Sequence, residues 1–189
     1  GMVGQEAAAL LVEADNATIR DTTFLHNIVA LRVVGDNAEI SGCVFGANGS
    51  AVIAAGARGM LQGNRSEADG LFLRMEPNSR GWSVTNNIIQ WSTDAAIRLE
   101  PTADGQLIAQ NRIFDGNNAI VTPMGSDGFT IRDNHIRSCG DWTRRFGYDA
   151  LSAISTENRW ERSSHAGCPE LPRAESADHP RAGGVSDTP

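Results

Sequence analysis

The feature that most constrains the fold is an internal repeat of 21 to 24 residues. Six short segments, among them TIRDTTF, EISGCVF, SVTNNII and TIRDNHI, recur at this interval. Their second residues are Ile19, Ile40, Leu61, Val84, Ile108 and Ile131, which are 21, 21, 23, 24 and 23 residues apart. A second series, which includes LRVV, LRME and IRLE, alternates with the first and keeps the same interval. Two independent series with one period indicate a repeat protein.

Within each segment, residues that face one way alternate with residues that face the other. Leu31 and Val33 are expected to face one side of a strand, and Arg32 the opposite side. Gly, Asn, Asp and Pro gather between the segments, as turns require. Two or three strands per repeat predict a parallel β-solenoid, whose coils stack about 4.8 Å apart and bury their inward side chains in one column. We expect that column to contain Leu31, Val52, Leu73 and Ile97.

One turn position in each repeat carries a small or polar residue. These residues are Thr22, Cys43, Asn64, Asn87, Asn111 and Asn134. Stacked amides can donate to one neighbouring coil and accept from the other, which satisfies polar groups inside the turn. In this layout, from about residue 10 to 154, the chain resembles the right-handed parallel β-helix of the pectate-lyase-like superfamily. The resemblance implies an all-β, single-stranded right-handed parallel β-helix of about six to seven coils with an asparagine ladder. A leucine-rich repeat has a similar period and is the alternative, although its L-x-x-L-x-L-x-x-N pattern is not met.

The composition divides the chain into residues 1–155, the predicted β-helix, and residues 156–189, a polar tail rich in Pro, Gly, Ser and Ala. The tail can bury little apolar surface, and it is expected to be loosely held or to pack on the last coil. Because Leu10 already belongs to a coil, we expect the sequence to start inside a solenoid. The remainder of a longer chain or another subunit would then cover the N-terminal coil.

The charge and the residue types exclude several functions. A formal net charge of −7 argues against nucleic acid as a partner, and no segment approaches the ~20 apolar residues of a membrane helix. All 16 basic residues are arginine, so lysine chemistry is excluded. The three cysteines match no metal or redox spacing, although Cys139 and Cys168 could pair in an oxidising compartment. We expect no metal or cofactor, since nothing supports a calcium site, and a secreted or periplasmic location, although no signal peptide is present.

A repeated phrase marks the predicted binding face. RMEPNSRG begins at Arg74 and RLEPTADG begins at Arg98, and both place a longer turn with proline and glycine after the strand. Outward side chains of this strand form rows, so Arg74 and Glu76 should lie one coil from Arg98 and Glu100. In proteins that this fold resembles, such a strand forms the floor of a polysaccharide groove. Arginines could hold a uronate carboxylate or a sulfate there through forked hydrogen bonds.

The candidate site is built around this face. The catalytic candidates are Glu76, Glu100 and Asp94, and the binding candidates are Arg32, Arg74, Arg98, Asp69, Asp94, Asp149, Trp142, Arg144 and Tyr148. Trp142, Arg144 and Tyr148 belong to an aromatic and basic loop that could form a groove wall. The alternative for the rows is a ladder of ion pairs between coils, and the alternative for the loop is a cover over the end of the stack.

Three classes of function follow. The first is a domain that binds an acidic polysaccharide on the Arg74/Arg98 face without catalytic machinery. The second is a lyase, C5-epimerase or glycoside hydrolase of uronate polymers, although no motif of such enzymes is present. The third is a structural solenoid segment of a larger surface or phage-tail-type protein.

Overall fold

A computed structural model describes residues 7–122, 128–138 and 158–162. These residues form nineteen β-strands and no helix, arranged in three parallel sheets that wind into a β-solenoid of about six turns. The structure therefore confirms the predicted all-β parallel β-helix. No helix in the described ranges has the length and apolar content to span a membrane. The predicted boundary at residue 155 falls outside these ranges and stays a prediction.

Each turn contributes one strand to each sheet. The first sheet contains β1 (Ala8–Val12), β4 (Val29–Val33), β7 (Ser50–Ala54), β10 (Leu71–Met75), β13 (Ala95–Leu99) and β16 (Ile120–Val121). The second sheet contains β2 (Thr18–Arg20), β5 (Glu39–Ser41), β8 (Met60–Gln62), β11 (Ser83–Thr85), β14 (Leu107–Ala109) and β17 (Thr130–Arg132). The third sheet contains β3 (Thr23–Leu25), β6 (Val44–Gly46), β9 (Arg65–Glu67), β12 (Ile88–Gln90), β15 (Arg112–Gly116), β18 (His135–Ser138) and β19 (Arg159–Arg162).

The register of the first sheet builds the predicted interior column. Leu31 pairs with Val52, Val52 with Leu73, and Leu73 with Ile97. All four side chains are fully buried. The second sheet stacks Ile19, Ile40, Leu61, Val84, Ile108 and Ile131 in the same way. Three strands per turn and the absence of helix from the described residues show that the leucine-rich repeat alternative is wrong.

The asparagine ladder lies at the corner between the second and third sheets. Asn87 accepts hydrogen bonds at Oδ1 from the backbone N–H and the side-chain Nδ2 of Asn64, both at 3.0 Å. Its own Nδ2 donates to Leu61 O at 2.9 Å and to Asn111 Oδ1 at 3.0 Å. The same bonds link Asn111 to Asn134 and Asn134 to Asn158, one coil beyond the predicted ladder. The ladder is therefore confirmed as a structural feature, and every buried amide in it has partners.

A left-handed residue precedes each ladder position and turns the chain between the two sheets. These residues are Asp21, Gly42, Gly63, Asn86, Gln110 and Asp133, with φ between 48° and 64°. Asn, Asp and Gly tolerate this conformation best, which explains their enrichment between the predicted strands. The corner thus comes from local backbone preference, and the ladder then satisfies its polar groups.

In the described residues, the longer corner between the first and second sheets is a tight turn in two adjacent coils. Ser79 N donates to Glu76 O, and Ala103 N donates to Glu100 O, both at 3.1 Å. Proline takes the second position of each turn, and the third has φ of 68° in one coil and 70° in the other. Proline followed by a residue with positive φ is typical of a type II turn. The repeated phrase therefore encodes two stacked turns that begin at a glutamate.

Candidate functional site

The outer face of the first sheet carries the predicted rows of charged residues. The register pairs Arg32 with Ile53, Ile53 with Arg74, and Arg74 with Arg98, so these four side chains form one outward column. Glu76 and Glu100 follow two residues after Arg74 and Arg98, at the start of the stacked type II turns. The register of the sheet thus sets the positions of the arginines, and the type II turns set the positions of the glutamates.

Each arginine of this column is bound to a carboxylate of the same chain. Arg32 Nη2 lies 2.8 Å from Glu76 Oε2, and Arg74 Nε lies 3.3 Å from Glu100 Oε1. Arg98 Nη2 donates to both oxygens of Asp94 at 2.8 Å. We call this group of three arginines and three carboxylates the ion-paired face. Its formal charge is 3 − 3 = 0.

The pair between Arg32 and Glu76 spans two coils and is the most buried. Its side chains are 16% and 19% exposed. Between them lies Ile53, which points outward in the register yet is only 1% exposed. Ile53 is flanked by Arg32 and Arg74 in this column, and the aliphatic stems of long basic residues commonly cover such apolar side chains.

The other two arginines keep donor capacity. Arg74 and Arg98 have side chains that are 35% and 32% exposed. The Nε atoms of both are buried, and that of Arg74 faces Glu100, so only the terminal nitrogens can reach a ligand from solvent. A guanidinium has five N–H donors, so carboxylates that bind one or two of them leave the rest available.

Asp69 does not belong to this face, and the expectation that it lines the groove is corrected. Its side chain is fully buried at the corner between the third and first sheets. Asp69 Oδ1 accepts from Asn48 N at 2.7 Å and Asn48 Nδ2 at 2.9 Å, and Ser66 Oγ donates to Oδ2 at 2.6 Å. Asn48 in turn accepts from Asn27. Burial raises the pKa of Asp69, although the bonds from Ser66 and Asn48 act the other way.

The sequence carried a signal for this second ladder. Asn27, Asn48 and Asp69 are 21 residues apart, which is the repeat interval itself. Three residues earlier in each coil, the inward side chain is Phe24, Phe45 and then Ser66. In the third coil, Ser66 stands where the two earlier coils have Phe, and Asp69 stands where they have Asn. The Ser66 hydroxyl donates to the buried Asp69 carboxylate, which a Phe could not do.

Several predicted residues lie outside the described residues. They are Asp149, Trp142, Arg144 and Tyr148 of the aromatic loop, together with Cys139 and Cys168. Their roles stay predictions. The described part of the site is the ion-paired face, which brings together Arg32, Arg74, Arg98, Glu76, Glu100 and Asp94.

A comparison with protein families identifies the lineage. The family model described as "Periplasmic copper-binding protein (NosD)" matches residues 2–140. The chain belongs to the NosD family. No curated protein and no solved structure matches the chain. The description of the NosD family as periplasmic agrees with the periplasmic alternative expected from the sequence.

The copper in the NosD description can be tested against the donor atoms. In residues 7–122, 128–138 and 158–162, no three His, Cys, Asp or Glu side chains are grouped so that they could hold a metal ion. Cys43 is buried, and its thiol contacts Ile19 O at 3.7 Å. Burial raises the pKa of this thiol, which opposes the thiolate that binds copper. His26 follows β3 near one end of the described solenoid and His135 begins β18 near the other. The described residues therefore do not fit a copper site.

Proposed function

We propose that this NosD-family chain is a non-catalytic binding domain that works in the periplasm and contacts an acidic polysaccharide through the ion-paired face. One observation carries the proposal. Arg74 and Arg98 are stacked one coil apart, and each is already paired with a carboxylate of the same chain. In the proposal, a uronate carboxylate takes the place of Glu100 or Asp94.

Binding at this face is an exchange of one carboxylate for another. Each arginine–carboxylate contact is exposed to solvent, so it contributes only about 0–1 kcal/mol to the free energy of binding. Affinity then depends on repeated contacts along one polymer, since each further contact is intramolecular. We expect binding that strengthens with polymer length and weakens with salt.

The same ion pairs are the reason why we propose a non-catalytic domain. Glu76, Glu100 and Asp94 are each engaged by a guanidinium. A catalytic acid or base must come within hydrogen-bond reach of the substrate, and each of these carboxylates would first have to leave its arginine. Copper is not part of the proposal, because the described donor atoms do not fit it.

A structural solenoid is the second candidate function. The equal number of arginines and carboxylates on the ion-paired face favours it, because paired charges satisfy one another without a ligand. In that case the face serves only to keep like charges from stacking on an exposed sheet.

The test is binding of polygalacturonate, alginate and a neutral glucan to the wild type, to the double variant R74A/R98A and to R20A. Arg20 forms an exposed 2.8 Å pair with Glu39 on the second sheet and is the matched control. We expect the wild type and R20A to bind both acidic polymers in preference to the glucan, and R74A/R98A to lose that preference. Equal weak binding of all three polymers, unchanged in R74A/R98A, would leave the structural function. Release of unsaturated uronides, measured by ultraviolet absorbance, would instead establish a lyase.

A further inference from the structure

The outer face of the third sheet carries another group of charged side chains. The register of β15, β18 and β19 stacks Arg112, His135 and Arg159 in one outward column and Phe114, Arg137 and Glu161 in the next. Neighbours in a column are one coil, about 4.8 Å, apart. The first column therefore places three basic groups directly above one another.

Four of these residues form a compact square. The ring of Phe114 is 9% exposed and lies 5.4 Å from Arg112 Cζ and 5.1 Å from Arg137 Cζ. The ring of His135 meets that of Phe114 edge to face, with centroids 5.1 Å apart. We call Arg112, Phe114, His135 and Arg137 the basic square. A guanidinium held against an aromatic ring keeps its N–H groups free to donate in its own plane.

The cations of the square differ in their partners. Arg137 donates to Asp115 from Nε at 3.1 Å and from Nη2 at 2.7 Å, and these bonds raise the pKa of Arg137. Arg159 is paired with Glu161. Arg112 has an exposed side chain and forms no ion pair or side-chain hydrogen bond within the described part of the chain. Of the arginines around this square, Arg112 is therefore the one available to a ligand.

The local charge balance is positive. Arg112, Arg137 and Arg159 face two carboxylates, Asp115 and Glu161, which leaves 3 − 2 = +1 with neutral histidine. Among the residues that the structure describes, His135 Nε2 is buried without a hydrogen-bond partner, 3.6 Å from Glu161 Oε1. The column thus combines an unpaired guanidinium with an incompletely satisfied imidazole.

We propose that the basic square binds a tetrahedral oxyanion, sulfate or phosphate, through Arg112. The guanidinium fork of Arg112 matches two oxygens of such an anion. The anion would also relieve the repulsion between the stacked basic groups of the first column. This site lies on a different sheet from the ion-paired face, so the proposal does not depend on the polysaccharide function.

The experiment titrates inorganic sulfate and inorganic phosphate into the protein by calorimetry, with sodium chloride holding ionic strength constant. The matched control is R65A, because Arg65 belongs to the same outward column two coils away and is paired with Glu67 at 3.2 Å. We expect saturable one-to-one binding by the wild type and R65A, and binding weakened about tenfold or more in R112A. R112Q checks that the loss does not come from altered packing, and circular dichroism checks folding.

A sulfated polysaccharide in place of inorganic sulfate distinguishes the two sources of the anion. Tighter binding that still needs Arg112 indicates a group carried on a polymer, and equal affinity per sulfate indicates the free ion. The proposal is overturned if no ion binds saturably, or if R65A weakens binding as much as R112A does. The second result would mean a general effect of surface charge.

Discussion

The asparagine ladder and the ion-paired face are both columns of polar side chains stacked coil on coil, yet they differ in what holds them. Asn87 is fully buried, and its side chain takes part in four hydrogen bonds to three neighbours. Arg98, on the outer face, is 32% exposed and is held by one carboxylate. Water can replace the partners of Arg98 but not those of Asn87. The comparison teaches that the interior column sets the stability of the solenoid, while the exterior column is free to serve recognition.

The largest effect is expected for N87A. The substitution leaves the backbone N–H and Nδ2 of Asn64 without their acceptor in a buried corner. We expect the free energy of unfolding to fall by about 3 kcal/mol or more, measured by urea denaturation. The control is Q90A, on the outer side of the adjacent strand β12, which should change it by less than about 0.5 kcal/mol. If both variants lost a similar free energy of unfolding, the interior column would not set the stability of the solenoid.

A smaller effect is expected for R32A. This substitution removes the most buried ion pair of the outer face and uncovers Ile53. We expect a loss of about 1–2 kcal/mol in the free energy of unfolding, mainly from apolar surface returned to water. In R20A, whose side chain is 57% exposed, the loss should stay below about 0.5 kcal/mol. If R32A and R20A lower the free energy of unfolding equally, Arg32 stabilises the fold only through its charge and not by covering Ile53.

Asp69 tests whether a carboxylate can serve as a rung of a buried ladder. Its pKa is raised in the folded protein, so the folded state binds the proton more tightly than the unfolded state does. Stability is therefore greatest when both states are protonated, and it falls as pH rises from the unfolded pKa of about 3.9 toward the folded value. We expect the difference in free energy of unfolding, D69N minus wild type, to increase with pH over that interval. A difference that does not depend on pH would show that Asp69 titrates normally.

The smallest effect on stability is expected for R98A. The pair with Asp94 is exposed, so its loss should cost about 0–1 kcal/mol. Binding of an acidic polymer should nonetheless weaken measurably, since Arg98 is one of two arginines proposed to hold it. Urea denaturation and a polygalacturonate binding assay on the same sample separate these outcomes. A large loss of stability without a change in binding would indicate that the ion-paired face has a structural function and does not bind the polymer.

Most of the fold could be predicted from the sequence, because repetition makes local signals add up. The 21–24-residue interval, the alternation in each strand and the asparagines at one turn position all point to the same coil. Pro77 and Pro101 also marked the longer corners of the two coils in which the structure describes them. In each case the residue acts within its own coil or on the next coil in register, so position along the chain translates directly into position in space.

The charged residues could be predicted only in part. The sequence placed Arg74 and Arg98 one coil apart, but it could not show that Arg32 reaches over Ile53 to Glu76 two coils away. It treated Asp69 as an accessible loop residue, although Ser66 and Asn48 hold it in the interior. Long side chains choose their partners among several within reach, and that choice depends on rotamers and burial.

By itself, the sequence determined that this chain coils into a parallel β-helix, which residues fill its interior and where its corners fall. A period and an alternation are enough for that, because each repeat buries its apolar face only against its neighbours. The tertiary structure alone decided which charges neutralise one another and which remain available. Arg98 and Arg112 look alike in the sequence, yet one is bound to Asp94 and the other rests on Phe114, with no carboxylate paired to it in the described ranges. Ion pairing is a matter of a few ångströms between side-chain ends, which the fold fixes only once the coils are stacked.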